Sequence, residues 1–202
     1  MADELDALRL AEILTARLCH DLSSSIGSLD QALALTAEAM PAENEAFALA
    51  RQAASDLTQR LRWRRAAWTS DGGPLDLLEL RAMVATPRVE LDIGGMAPSS
   101  VFSAPMGRGL LNVLLLAIES LPRGGRIRLG GSGRDVAVAI DGANAVWPAS
   151  LARALAGERL GFDDPRSLQA PLTVLLARDL GLRLTMMLGT GPGAPPLRLM
   201  ET

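Results

Sequence analysis

Aromatic residues, cysteine and histidine are almost missing from this chain. Its 202 residues include three phenylalanines, three tryptophans and no tyrosine, so a core must be filled by aliphatic side chains. The single cysteine, Cys19, excludes an intrachain disulfide and fits a reducing compartment. With one cysteine and one histidine, His20, a zinc site of nitrogen and sulfur ligands cannot be assembled, and no metal or cofactor is expected on this chain. Long apolar runs are missing too. The longest, over residues 113–118, falls far short of the roughly 20 residues that cross a bilayer. The first ten residues are acidic and helix-forming, unlike the basic and then apolar start of a secretory signal. There is no basic excess either: a formal net charge of −3 and a pI near 5.2 argue against a general nucleic-acid binder. The expectation is a soluble cytoplasmic protein with neither membrane nor nucleic acid as partner.

What is present begins with residues 5–35, which read as helix and carry His20. Projected at about 100° per residue, Leu14, Leu18, Leu22, Ile26, Leu29 and Leu33 fall on one face. His20 falls almost opposite. Its neighbours around the helix are Ala16, Ser23, Ser24 and Gly27, with Ile13 the one bulky exception. The imidazole therefore stands out from a long helix, ringed by small side chains that permit close approach. A buried core role does not fit, because the apolar stripe lies on the other side. Two readings stay open on the residues alone: an incidental surface histidine, which is the ordinary case, and a reactive one. Cys19 beside it reads as a small packing residue.

Residues 3–38 contain no proline and one glycine, which predicts a single long helix. Met40-Pro41-Ala42-Glu43 predicts a turn into a second helix over residues 43–68, with Phe47, Ala50, Ala54, Leu57, Leu61 and Trp68 along its apolar seam. Two such helices make an antiparallel hairpin with arms on the order of 40 Å. A lone hairpin buries little, so two hairpins from two chains, a dimeric four-helix bundle, are expected. The second helix ends in Arg60-Leu61-Arg62-Trp63-Arg64-Arg65. These cations suit a helix C-terminus on dipole grounds and also suit an acidic partner.

Ser70-Asp71-Gly72-Gly73-Pro74 interrupts the pattern and divides residues 1–70, the hairpin, from residues 75–202. The second unit alternates. Helices are predicted over residues 75–84, 106–121, 151–156 and 169–180, and strands over 88–93, 125–129, 135–140, 182–188 and 197–200. Helices on one face of a mixed sheet follow, so the fold class is an α-helical hairpin plus an α/β sandwich.

That order of elements resembles a sensor histidine kinase core, with the second unit similar to its ATP-binding domain. Set against the motifs of that family, three segments depart. The asparagine-rich helix of form N-L-L-x-N-A corresponds to Asn112-Val113-Leu114-Leu115-Leu116-Ala117, and Leu116 stands where an asparagine would hold Mg²⁺. Leucine has no lone pair for a cation that demands oxygen ligands. The D-x-G-x-G segment corresponds to Asp141-Gly142-Ala143-Asn144-Ala145, with alanine at both expected glycines. The glycine-rich phosphate loop corresponds to Asp164-Pro165-Arg166-Ser167-Leu168-Gln169, which has no glycine. The resemblance thus implies a degenerate ATPase-like sandwich that does not use ATP.

The histidine segment Leu18-Cys19-His20-Asp21-Leu22, continued through Ser24, Ile26, Gly27 and Leu33, resembles the ChpT-type histidine phosphotransferases. Ser167-Leu168-Gln169-Ala170 and Leu175-Leu176-Ala177 look like the C-terminal domain of that family. Ser25 departs from many such histidine segments, which carry proline there and with it a helix kink. The resemblance implies a homodimer that takes a phosphoryl group from the aspartate of one response-regulator receiver domain onto His20 and passes it to another receiver. It implies phosphotransfer without ATP, with Mg²⁺ carried by the partner receiver. The docking surface expected around His20 is Ala16, Asp21, Ser23, Ser24 and Gly27. Two alternatives stand beside this reading: a dimeric scaffold in which His20 is incidental, and an active ATP-dependent kinase, against which Leu116 speaks.

Overall fold

In a computed structural model of the chain, the proline-free start is one helix, α1 (Ala2–Ala37). The structure describes residues 2–37, 44–70, 72–84, 86–158, 168–189 and 193–202, and within α1 the side chains of residues 8–36. The predicted turn at 40–43 and the predicted phosphate-loop counterpart at 164–167 lie outside the described residues. Helix α1 runs unbroken through Ser25, as the absence of proline there requires. Helix α2 (Glu45–Trp68) starts where the Asn44 side chain accepts a hydrogen bond from the Phe47 N–H at 3.1 Å, satisfying one of the free donors of the first turn.

The two helices pack as a hairpin along one edge of the expected stripe, at Ile26, rather than through its leucines. Cys19, Ile26 and Leu61 form its buried middle, with Ala54 also buried. Leu14, Leu18, Leu22 and Leu29 are each about half exposed, and Leu57 and Ala50 of the expected α2 seam are exposed as well. The contact between α1 and α2 therefore lies about 80° around α1 from the leucines, where smaller side chains let the helices approach.

The remaining elements are β1 (Leu75–Asp76), α3 (Leu77–Val84), β2 (Val89–Met96), β3 (Val101–Phe102), α4 (Ala104–Glu119), β4 (Gly125–Ser132), β5 (Asp135–Asp141), α5 (Ala149–Leu155), α6 (Gln169–Asp179), β6 (Leu182–Met186) and β7 (Leu197–Glu201). Strands β1 and β3 pair antiparallel as a separate two-stranded sheet. Neither is predicted from sequence: residues 75–76 are expected as the start of a helix, and two-residue strands are too short to show alternation. The main sheet has the order β2-β4-β5-β7-β6, with β2 and β4 parallel and the other pairs antiparallel. It is mixed, as expected. Gly124 sets the entry to β4. Its φ is +78°, and a Cβ there would lie 2.4 Å from the Arg88 carbonyl oxygen, so only glycine lets the turn close beside β2.

Alternation does the rest. Ile127, Leu129, Val136, Val138, Ile140, Leu184, Leu197 and Leu199 point inward against α4 and α6, while Glu90, Arg126, Arg128 and Arg183 face out. Helix α4 is apolar almost all round and buried along nearly its whole length, which is how a helix reads when it is covered on both sides. One of those sides is the hairpin: Leu8, Trp63, Ala67 and Trp68 belong to the same buried cluster as Leu110, Leu114 and Phe102. Ser103 caps α4, accepting from the Met106 N–H at 3.3 Å, and its hydroxyl donates to Glu201 at 2.5 Å, tying the helix start to the last strand.

Candidate functional site

His20 sits mid-helix on α1, and its side chain is 81% exposed. The projection placed it opposite the leucine stripe, and the structure leaves it facing solvent. Its Nδ1 lies 3.3 Å from Asp21 Oδ1, and the other oxygen of Asp21 lies 3.8 Å from Arg17 Nε. A carboxylate oxygen there can accept from the ring when the proton sits on Nδ1, the tautomer that leaves the Nε2 lone pair free.

The small residues expected around it have the expected access. Ser23, Ser24 and Gly27 are exposed, Ala16 is half-buried, and a Cβ on Gly27 would meet nothing within 4 Å. The Ser28 hydroxyl donates back to the Ser24 carbonyl at 3.1 Å. Cys19 is buried against α2, and burial pushes its thiol above the ordinary range, with Arg64 and Arg65 pulling the other way. A buried, protonated thiol is a packing group.

The helix that resembles the asparagine-rich helix of kinases does different work here. Asn112 is fully buried, and its amide donates to the Ala67 carbonyl at 2.6 Å and the Arg108 carbonyl at 3.1 Å. Its carbonyl accepts from Gln169 Nε2 at 3.3 Å. Ala67 lies in the last turn of α2, so Asn112 satisfies a backbone acceptor that the helix itself leaves free. Arg108, one turn earlier, donates through Nη2 to the Trp68 carbonyl at 3.1 Å and to Glu12 of α1. Leu116 is buried in the core, and Asp141 is exposed beside Arg128 at 3.6 Å. Glu12, Arg108, Asn112 and Gln169 are thus a polar clamp between the hairpin and the α/β unit. Sequence reasoning missed it. Its signal was Glu12, a charge in line with Leu8, Cys19 and Ile26 at spacings of 4, 7 and 7, on the face that packs.

The model of the histidine phosphotransferase C-terminal domain matches residues 79–190, more than half of the chain. The chain belongs to the histidine phosphotransferase family. A protein phosphotransferase, ChpT of Brucella abortus (strain 2308), is 27% identical over 197 residues, covering 90% of this chain and 91% of that protein. A bacterial phosphotransferase of known structure superposes with a TM-score of 0.63 at 22% identity, over 98% of this chain and 96% of that one, so the fold is shared along the full length. No helix among the described residues is long and apolar enough to cross a membrane.

Proposed function

We propose that this chain is a phosphorelay intermediate in two-component signalling. In this reading His20 accepts a phosphoryl group from the aspartyl phosphate of one response-regulator receiver domain and passes it to a second receiver. The observation that carries the reading is the His20 ring itself, exposed midway along a 36-residue helix with Nδ1 3.3 Å from Asp21. Nε2 attacks phosphorus, the bond to the aspartate oxygen breaks, and the carboxylate leaves. The reverse sequence on the second receiver restores the imidazole. Such a transfer depends on in-line placement and charge stabilisation, and Mg²⁺ held by the receiver supplies the latter. The chain itself contributes the nucleophile and a surface around Ala16, Asp21, Ser23, Ser24 and Gly27.

The α/β unit, in the same reading, is a degenerate ATP-binding-like domain. Support comes from Asn112, whose donors are both occupied by backbone carbonyls, and from Leu116, which is buried where a metal ligand would be needed. The leucines left half exposed on α1 and Leu57 on α2 favour a second copy of the chain against the hairpin, giving a dimeric four-helix bundle. His20, opposite the α1 leucines, stays free in such a dimer.

The test is a transfer assay with a phosphorylated receiver, with wild type and H20A, and separately with ATP. Label moving to wild type, absent from H20A and absent with ATP alone, is the expected result. Label arriving from ATP would overturn the reading of the α/β unit. Label reaching H20A would overturn the role of His20. Sedimentation equilibrium tests the bundle: wild type is expected at twice the chain mass, and L18E/L22E at the chain mass.

A further inference from the structure

Between the hairpin and the α/β unit lies a cavity of about 670 Å³, walled by α2, the linker that follows it, α3 and the first turns of α4. Small-molecule sites run from about 300 to 1,000 Å³, mostly apolar with a few convergent polar groups. This cavity has that composition. Ala66, Leu75, Ala82, Met83 and Leu111 are among its walls, and two guanidiniums interrupt them, Arg62 on α2 and Arg108 on α4.

Arg108 is buried, and all the hydrogen bonds it makes leave from Nη2, to Glu12 and to the Trp68 carbonyl. Its Nε has no partner, and Nη1 makes no bond to a described residue. A buried cationic donor without an acceptor is costly, and native structures rarely leave one. Arg62 is exposed and forms no ion pair with a described residue. The acid on the same wall, Glu79, is turned to its own helix start, accepting from the Asp76 N–H at 3.2 Å. Arg62 and the Nη1 of Arg108 are therefore donors on the cavity wall with no acceptor among the described residues, in a lining that is largely apolar.

We propose that this cavity binds a small amphipathic anion, a carboxylate on an apolar body. The carboxylate lies between Arg62 and the Nη1 of Arg108, and the body lies against Ala82, Met83 and Leu111. Elements from both units wall it as an open-mouthed cleft, which suits a small molecule better than a flat protein surface. This inference is independent of the phosphotransfer reading.

Decanoate is the probe, with decanol as its uncharged counterpart and the ¹³C-methyl signals of the eight methionines as the readout. Decanoate is expected to shift Met83 saturably, and decanol to bind at least about tenfold more weakly. R62Q is expected to weaken decanoate severalfold and leave decanol unchanged, and A82W, which fills the cavity, to remove both. No saturable shift at Met83, equal affinity for decanol, or binding that survives A82W in a folded protein would each overturn the proposal. A Met83 shift seen only on adding a receiver domain, never with decanoate, would assign the cavity to a protein partner and overturn it equally. Should A82W not fold, the comparison of the two probes on wild type and R62Q decides.

Discussion

Glu12 and Arg108 lie 96 residues apart in the chain and meet in a buried ion pair at the joint between the hairpin and the α/β unit. Neither charge has another reason to be buried, and desolvating two ions is repaid only when geometry and further hydrogen bonds are good. Here the Trp68 carbonyl supplies one such bond, and Asn112 one turn on supplies the same service to Ala67. The helix that resembles a nucleotide-binding helix has become the cap of α2 and the anchor of α1. The two units are held together by specific polar bonds as well as by a shared apolar core.

That arrangement predicts strong coupling. Glu12→Ala leaves Arg108 buried without its counter-charge and is expected to cost about 3–5 kcal/mol. E12M/R108M removes both charges and is expected to recover much of that loss, short of the roughly 1 kcal/mol of the bond to Trp68. Urea unfolding of wild type, E12M, R108M and E12M/R108M gives the coupling energy directly. Additive effects of the two single changes would show that the pair contributes nothing as a pair.

Leu116 predicts an asymmetric outcome. If the missing magnesium ligand were all that separated this chain from a nucleotide binder, Leu116→Asn would move it toward one. The side chain is instead packed in the core at 1% exposure, and Asn112 already has its donors occupied. L116N places an amide without partners where a leucine fits, so a loss of about 3 kcal/mol or more is expected. Calorimetric titration with MgATP is expected to show no heat of binding before or after the change. A measurable affinity in L116N would mean that the site is closer to function than its packing implies.

Two surface carboxylates, at the start of β5 and the end of β7, contribute to stability toward acid. Asp135 accepts from Arg198 at 2.8 Å and 2.5 Å, and those hydrogen bonds hold its carboxyl below the usual range. Glu201 is held low by the Ser103 hydroxyl and then by Arg134. A carboxylate with a depressed folded pKa is protonated first in the unfolded chain. Its stabilisation is therefore complete above the ordinary carboxylate range, about pH 4 to 5, and is lost as the pH falls through the lower folded values. Both sites are partly exposed, so each effect is small. Urea midpoints measured from about pH 6 to 2 are expected to fall over the acid end, and R198Q and R134Q to flatten that fall. An unchanged slope in both variants would place the acid sensitivity elsewhere.

Much of this was legible in the residues, and the failures have physical causes. Period and capping chemistry placed the long helices, and alternation placed the five strands of the sheet. The position of His20 followed from a projection alone, because a helix of 36 residues leaves little freedom in where a side chain points. The hairpin seam followed only in part: Ile26 on α1 and Ala54, Leu61 and Trp68 on α2 are buried as expected, and Leu14, Leu18, Leu22 and Leu29 of α1 are not. The leucine-rich face is the conspicuous one, but α1 packs through Leu8, Glu12, Cys19 and Ile26, where a charge and a thiol dilute the apolar signal. A helix with two working flanks shows a single projection only the greasier one. The clamp was illegible for a related reason: Arg108 and Asn112 acquire their roles from carbonyls at the far end of α2, contacts that no local spacing encodes.

Asp21 lies beside the ring of His20, the proposed phosphoacceptor, without taking part in the proposed transfer. Its Oδ1 lies 3.3 Å from Nδ1, and Arg17 lies near its other oxygen. If this carboxylate fixes the Nδ1–H tautomer, Asp21→Asn lets the proton distribute over both nitrogens and lowers the fraction of rings with Nε2 free. The pair is solvent-exposed, so the expected loss of transfer rate is modest, about two- to tenfold, with little change in receiver affinity. The chain has one histidine, so a ¹⁵N spectrum of its imidazole reports the tautomer without assignment. D21N is expected to move those shifts toward the Nε2–H form and to slow transfer together, and D21E to restore both in part. Slower transfer with unmoved ¹⁵N shifts would instead make Asp21 a docking contact, reading the partner and leaving the ring to itself.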